Sequence, residues 1–481
     1  IVLPHPRRSL WVYLQERTGA YPAFKVTAEP VRRYPQGGLG SEFLGLLGEV
    51  TQPELSSSQY GHAKPGEIVG QSGVERIYDS RINPGLVPAK LRVDSMGHIA
   101  GQLEIPKSKP PPTLRLTIDS RIQKAAEKAV RDGMALAEQN GNHPTGGSAV
   151  VLDPNTGAVI ALASVPSFNQ VKAATDPAYV EKLYRNTTTH PTVNRAITGV
   201  YPTGSTFKPI IAEAALSAGI ITPETSQLCT GSFALGSFVF NNVERGVYES
   251  MTLHTAIAQS CDTWFYRLGD RIWQADPAKQ GTLIQHWARK FGFGSPTGID
   301  LTGEGSGLVP SPAWFLKNNH YPWTEGQTIN LSIGQGPLQA SPLQLAVAYA
   351  ALVNGGTVVR PHVADAVVKD GVAKKLTFKP VRKLHLVDVQ AILQGVHEAA
   401  HDPNGTSAYV FANFPVDVAG ETGTAENGSP DDHSWYASWA PFKHPRYVVV
   451  AMIEHGGFGA SAAAPAVKEI YEALFHVKPT P

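Results

Sequence analysis

The chain has 481 residues, 42% of them apolar and 17% charged, with 41 Lys and Arg set against 40 Asp and Glu. That length exceeds what one core organises, so two domains are expected, and the composition excludes a disordered chain. The balanced charge gives no electrostatic reason to bind nucleic acid or an acidic surface, and neither is expected as a partner.

From the N-terminus, "AFKVTAEPV" (23–31) and "KLRVD" (90–94) alternate with period 2, as half-buried strands do. Turn signals stand between them at "PQGG" (35–38), "KPGE" (64–67) and "NPG" (83–85). Residues 1–110 therefore read as a small domain with much β structure. It ends at "EIPKSKPPPT" (104–113), whose three consecutive prolines make a stiff, extended connector. The chain starts at Ile1 and not Met, so an N-terminal anchor or signal is expected to have been cut away.

Residues 111–481 have a different texture. "SRIQKAAEKAVRDGMALAEQ" (120–139) has helical periodicity, with Asp119 or Ser120 as its N-cap. "GSAVVLDPNTGAVIALAS" (147–164) reads as two apolar strands around a tight turn. Helical patterns follow at 252–270 and 342–353, and a second hairpin at 433–454 turns at "PFKHP". Strands early and late with helices between predict an α+β domain whose sheet is assembled from distant parts of the chain. The most apolar run, "LQLAVAYAALV" (343–353), is interrupted by Gln344 and falls short of the ~18 residues a membrane span needs.

Three short motifs carry chemistry. In "YPTGSTFKP" (201–209), Pro202 and Gly204 break the chain before a helix on which Ser205 and Lys208 share one face. A lysine partly desolvated there can lose its proton and activate the hydroxyl, and the helix N-terminus aims N–H groups at a developing anion. A capping Ser with a surface Lys would give the same letters. Ser260 and Asp262, in "AQSCDTWFY", can project a hydroxyl and a carboxylate from one turn into one cleft. In "AGETGTAEN" (419–427), Gly423 lets a ligand approach a strand edge, and Thr422 and Thr424 offer hydroxyls and N–H groups.

Each motif is weak alone, but in this order they resemble the penicilloyl-serine transferases, whose S-x-x-K set the first motif matches. "NRAITGVYPTGSTFKP", "TIDSRIQKAAEKAV", "VVLDPNTGAVIALASVPSFN" and "SIGQGPLQASPLQLAVAYA" are similar to class B penicillin-binding proteins. "VRRYPQGGLGSEFLGLLGEV" and "GQSGVERIYDSRINPG" resemble their elongated, β-rich, non-catalytic pedestal (dimerisation-type) domain. The "SCDTWFY" context is closer to the elongation-type enzymes, the penicillin-binding protein 2-like group.

The resemblance implies an antiparallel sheet flanked by helices, a peptidoglycan D,D-transpeptidase acting through an acyl-serine, and acylation by β-lactams. It casts Ser205 as nucleophile, Lys208 as general base and Ser260 as proton relay. Asp262, Glu421, Thr422, Gly423 and Thr424 become substrate-binding residues, and Ser205 and Thr424 N–H groups form the oxyanion hole. It implies stem peptides as substrates, no cofactor, a SEDS-type glycosyltransferase as membrane partner, and a membrane-anchored enzyme on the outer face.

Glu421 departs from the family, which usually has lysine there. Two unit charges 4 Å apart interact by about 4 kcal/mol at an effective dielectric of 20 and about 1 in water, so reversing the sign costs roughly 2–8 kcal/mol. On that ground a weakened scaffold or regulatory homologue is the alternative function. A β-lactamase is a third reading, although no deacylating base can be assigned and residues 1–110 go unexplained. Cys229 and Cys261, the two cysteines, are compatible with free thiols, a disulfide or a zinc site, and no ligand set with zinc-like spacing surrounds them.

Overall fold

The computed structural model describes residues 32–83, 111–243, 245–275 and 281–478, with isolated positions between 10 and 21. The strands expected at 23–31 and 90–94 and most of the proline connector lie outside the described residues. In the front segment β1 (Leu47–Glu49) pairs antiparallel with β2 (Ile68–Gly70), and short helices and turns make up much of the rest. The expected turns at 35–38 and 64–67 are present.

Beyond the connector, β3 (Thr113–Leu116) leads into helix α1 (Ser120–Gln139), capped by Asp119, whose carboxylate accepts from the N–H groups of Arg121 and Ile122. The hairpin β4 (Gly147–Leu152) and β5 (Val159–Val165) closes where Asp153 Oδ1 accepts from Asn155 N at 2.8 Å. A 3-10 turn, Gly204–Phe207, runs into α2 (Lys208–Ser217), with Pro209 in its opening turn, where its missing N–H costs nothing. Then come β6 (Gln227–Thr230), α3 (Leu253–Ala258) and α4 (Asp262–Ala275). The helical pattern at 252–270 is thus two helices, broken at Ser260, whose φ is 52°.

Helix α5 (Pro342–Val353) is buried through nearly all its length, so the run of membrane-like letters is a core helix. Gln344 interrupts that run as half of a capping box: its Oε1 accepts from Ser341 N, and its own N–H donates to Ser341 Oγ. Among the described residues no helix is long and apolar enough to cross a membrane. Strand β7 (Ala364–Lys369), which pairs with β3, precedes α6 (Val389–His401), β8 (Ala419–Ala425), β9 (His433–Ala440), β10 (Tyr447–Ile453) and α7 (Ala463–Phe475).

The central sheet runs β8-β9-β10-β4-β5, antiparallel throughout, and joins strands from both ends of the domain as expected. Both faces are covered. Val449, Ala451 and Ile453 pack with α1 and α7, while Val448, Val450 and Met452 belong to the larger core with α2 and α5. The period-2 alternation of β10 therefore divides two apolar layers rather than core from water. β8 is the outer strand on one side, and that edge carries the Glu421-Thr422-Gly423-Thr424 motif.

Candidate active site

Two glycines dock the Ser205 turn onto β8. Gly204 has φ 54°, and a Cβ there would lie 2.5 Å from Thr424 O. A Cβ on Gly423 would lie 2.8 Å from Thr203 O and 2.9 Å from the Thr206 methyl. A side chain at Gly423 is thus excluded by the chain's own turn. Below, Tyr349 of α5 donates to Thr206 O at 2.9 Å.

This docking aligns the edge of β8 with Ser205. Thr424 O accepts from Gln335 Nε2 at 3.2 Å on the side where Gly204 approaches, and in an antiparallel strand the N–H of a residue faces the same way as its C=O. Thr424 N–H therefore points at the Ser205 side. Ser205 and Thr424 are half-buried at this edge, and Thr422 is nearly covered.

Lys208, one turn on, is wholly buried. Its ammonium donates to Ser260 O at 2.7 Å, Ser260 Oγ at 2.9 Å and Asp262 Oδ1 at 2.7 Å. All three donors are used, and the Phe265 ring lies 5.3 Å away. Asp262 begins α4, and its N–H is anchored by Asn242 Oδ1 at 2.9 Å. Ser260 and Asp262 thus sit on one turn facing one cation, as their spacing suggested.

The cysteines are joined in a disulfide, Cys229–Cys261, which excludes both the free-thiol and the zinc readings. Cys261 lies between Ser260 and Asp262, so the bond ties their turn to β6. Thr263 reinforces it, donating to Thr230 O and accepting from Thr230 N, each at 2.8 Å.

Glu421 occupies the face of β8 that looks toward Lys208, and it is fully buried. Neither carboxyl oxygen has a hydrogen-bond partner in good geometry, although Ser260 is close by. Burial pushes its carboxyl up to about 8, against the pull of Lys208 and Ser260, with Asp262 adding to the rise. At neutral pH the side chain is a neutral acid.

The structure therefore gathers Ser205, Lys208, Ser260, Asp262 and the 421–424 edge into one cleft. Gln335, Gly334, Asn242 and Phe265 support it but were not singled out. Gln335 and Gly334, whose C=O accepts from Gly204 N at 3.1 Å, lie in "SIGQGPLQ", a stretch whose glycines were visible but whose partner was not. Asn242 carried no signal, since it reaches Asp262 from a hairpin with no pattern of its own.

Residues 147–472 match the family described as "Penicillin binding protein transpeptidase domain", and residues 8–116 match "Penicillin-binding Protein dimerisation domain". The chain is 28% identical to the peptidoglycan D,D-transpeptidase MrdA of Haemophilus influenzae, over 94% of this chain and 70% of that protein. It is 31% identical to MrdA of Acinetobacter baumannii, over 92% of this chain and 66% of the relative. Pseudomonas aeruginosa PBP2, solved in complex with WCK 5153, superposes with a TM-score of 0.77 at 30% identity, covering 95% of this chain and 93% of that one. Helicobacter pylori PBP2, solved in complex with MreC, shares the fold at a TM-score of 0.74 and 24% identity, over 92% and 79% of the two chains. With a transpeptidase match across most of its length, behind a dimerisation match, the chain belongs to the penicillin-binding protein transpeptidase family.

Proposed function

We propose that this chain is a peptidoglycan D,D-transpeptidase of the MrdA/PBP2 type, acylated at Ser205 by stem-peptide donors and by β-lactams. The observation that carries the site assignment is the placement of Lys208 Nζ within 2.9 Å of both Ser260 Oγ and Asp262 Oδ1, one turn from a Ser205 docked against the Thr424 edge.

The geometry supports the following sequence. Lys208 must be neutral to take a proton from Ser205, and Asp262 is the acceptor at 2.7 Å able to receive the one it carries. Ser205 Oγ then attacks the D-Ala-D-Ala carbonyl as its proton passes to Lys208. The oxyanion meets the N–H groups of Ser205 and Thr424, where one such donor is worth ~10²–10³ in rate. Ser260, hydrogen-bonded to Lys208, passes a proton to the leaving D-alanine, and an amino group of a second stem takes the acyl group. Thr422 and Thr424 hydroxyls bind the terminal carboxylate, in a cleft where a neutral Glu421 adds no opposing charge at neutral pH.

In this reading residues 1–110 are the pedestal and 111–481 the transpeptidase. The full protein is anchored in the membrane with its catalytic domain on the outer face, beside a SEDS-type glycosyltransferase. The neutral Glu421 removes the charge argument that motivated an inactive scaffold.

Intact-mass measurement after incubation with benzylpenicillin tests the site. A single adduct is expected on the unmodified chain and none on Ser205→Ala, while Lys208→Ala slows its formation by ~10²–10⁴. An adduct that persists in Ser205→Ala would overturn the assignment.

A further inference from the structure

We infer that His397, His401 and Asp417 form a binding site for a divalent transition ion of the zinc class, at the root of the strand that carries the catalytic edge. His397 and His401 are four residues apart on α6, which sets both rings on one helix face. Asp417 lies just before β8. Its Oδ1 is 2.6 Å from His397 Nε2 and 3.4 Å from His401 Nε2, so both rings converge on one carboxylate oxygen.

The ligand atoms of the three residues all lie within 4.8 Å of one another, and no other trio of His, Cys, Asp or Glu among the described residues converges in this way. A tetrahedral ion with bonds of ~2.1 Å holds its ligands roughly 3.4 Å apart, so modest side-chain rotation suffices. Two imidazoles and a carboxylate suit zinc and its neighbours and not magnesium or calcium, which require mainly oxygen. His397 and Asp417 are partly or well exposed, leaving a coordination position for water.

The surroundings fix the rings. His397 stacks on Phe442 with centroids 4.2 Å apart, and Phe442 N donates to Asp417 O at 2.8 Å. His401 Nε2 also contacts Val418 O at 2.9 Å, a bond it would exchange for the ion. The opposite face of α6 is held where Gly395 meets α3, the helix that leads to Ser260. An ion here would clamp α6 to Asp417, just ahead of β8 and four residues before Glu421. The site shares no residue with the Cys229–Cys261 pair, around which a zinc set was sought and not found.

Equilibrium dialysis of the chain, stripped with chelator, against zinc chloride tests the inference. One equivalent should be retained through this site, with affinity reduced about tenfold or more in His397→Ala and in Asp417→Asn. Asp417→Asn keeps the side-chain volume, so its result stands if the alanine variant folds poorly. Zinc should raise the thermal unfolding midpoint of the unmodified chain and not of the variants. No retained zinc, or zinc retained equally by His397→Ala and Asp417→Asn, would overturn the site, the latter by placing the ion elsewhere among the 16 histidines.

Discussion

Glu421 changes meaning once its burial is known. Its letter alone implies an anion beside the substrate carboxylate, but full burial raises its carboxyl to about 8, so roughly nine-tenths of it is protonated at pH 7. The groups facing it are Lys208 of α2, Ser260 and Asp262 of the turn before α4, Tyr349 of α5 and Tyr436 of β9. The sign of the pH effect follows. A carboxyl whose folded-state value lies above its ordinary 4.5 favours folding fully below that value, and the contribution is lost as pH rises toward about 8.

Stability should therefore fall between pH 5 and 9 by up to roughly 5 kcal/mol from this group, and Glu421→Gln should remove that slope in thermal denaturation. Acylation by benzylpenicillin should decline above pH 8 as Glu421 ionises. In Glu421→Gln it should stay within about threefold of the unmodified rate at pH 7 and lose that decline. A profile unchanged by the substitution would mean that Glu421 does not titrate in the working range. Motif reading identified this residue as the departure but could not supply its charge state, which depends on the helices that cover β8.

At the scale of elements, the turn 260–262 concentrates constraint. Ser260 has φ 52°, a conformation that non-glycine residues adopt at a cost of order 1–3 kcal/mol. It is held there by Lys208 on its carbonyl, by Asn242 on the next-but-one N–H, and by the disulfide at Cys261. Closing a loop across a sequence separation of 32 restricts the unfolded chain by about 3–4 kcal/mol in the chain-entropy account. Cys229→Ser with Cys261→Ser should lower the unfolding midpoint. It should also slow acylation more than it weakens first binding, because the turn holds Ser260 and Asp262 against Lys208, the base in the proposed reading. A rate constant for acylation unchanged beside a lowered midpoint would confine the bond to a stabilising role. Sequence could name both cysteines and the turn, yet not their pairing, since β6 is brought to α4 only by the packing of a segment with no motif.

Across the whole molecule, the legible features were those with local causes: the Asp119 cap, the 153–157 turn, the hairpin at 433–454 and the break before Ser205. The two-layer burial of the sheet was harder to read, because strands covered on both faces lose the polar alternation that marks one-sided burial. The seating of the front segment was invisible, because it depends on partners from 87 to 229 residues away, Glu127, Phe168 and Gln170 among them. Tyr78 donates to Asp300 Oδ2 at 2.6 Å, and Gly73 N donates to Thr302 Oγ1 at 2.8 Å.

Asp300 is the hub of that contact. Its carboxylate also accepts from Val363 N at 2.7 Å and Ala364 N at 3.0 Å, tying the front segment to the start of β7. The two ends of this hub can be separated by substitution. Tyr78→Phe removes one hydrogen bond at the front segment, worth about 1 kcal/mol, and should speed proteolysis within 32–83 while leaving benzylpenicillin acylation unchanged. Asp300→Ala also strands two N–H groups, at about 1–3 kcal/mol for each buried group left unpaired, and should lower the unfolding midpoint of the transpeptidase domain as well. If Tyr78→Phe were cleaved no faster than the unmodified chain, this hydrogen bond would not be what seats the front segment. If Asp300→Ala affected only the front segment, the Val363 and Ala364 bonds would be dispensable to the domain that carries Ser205.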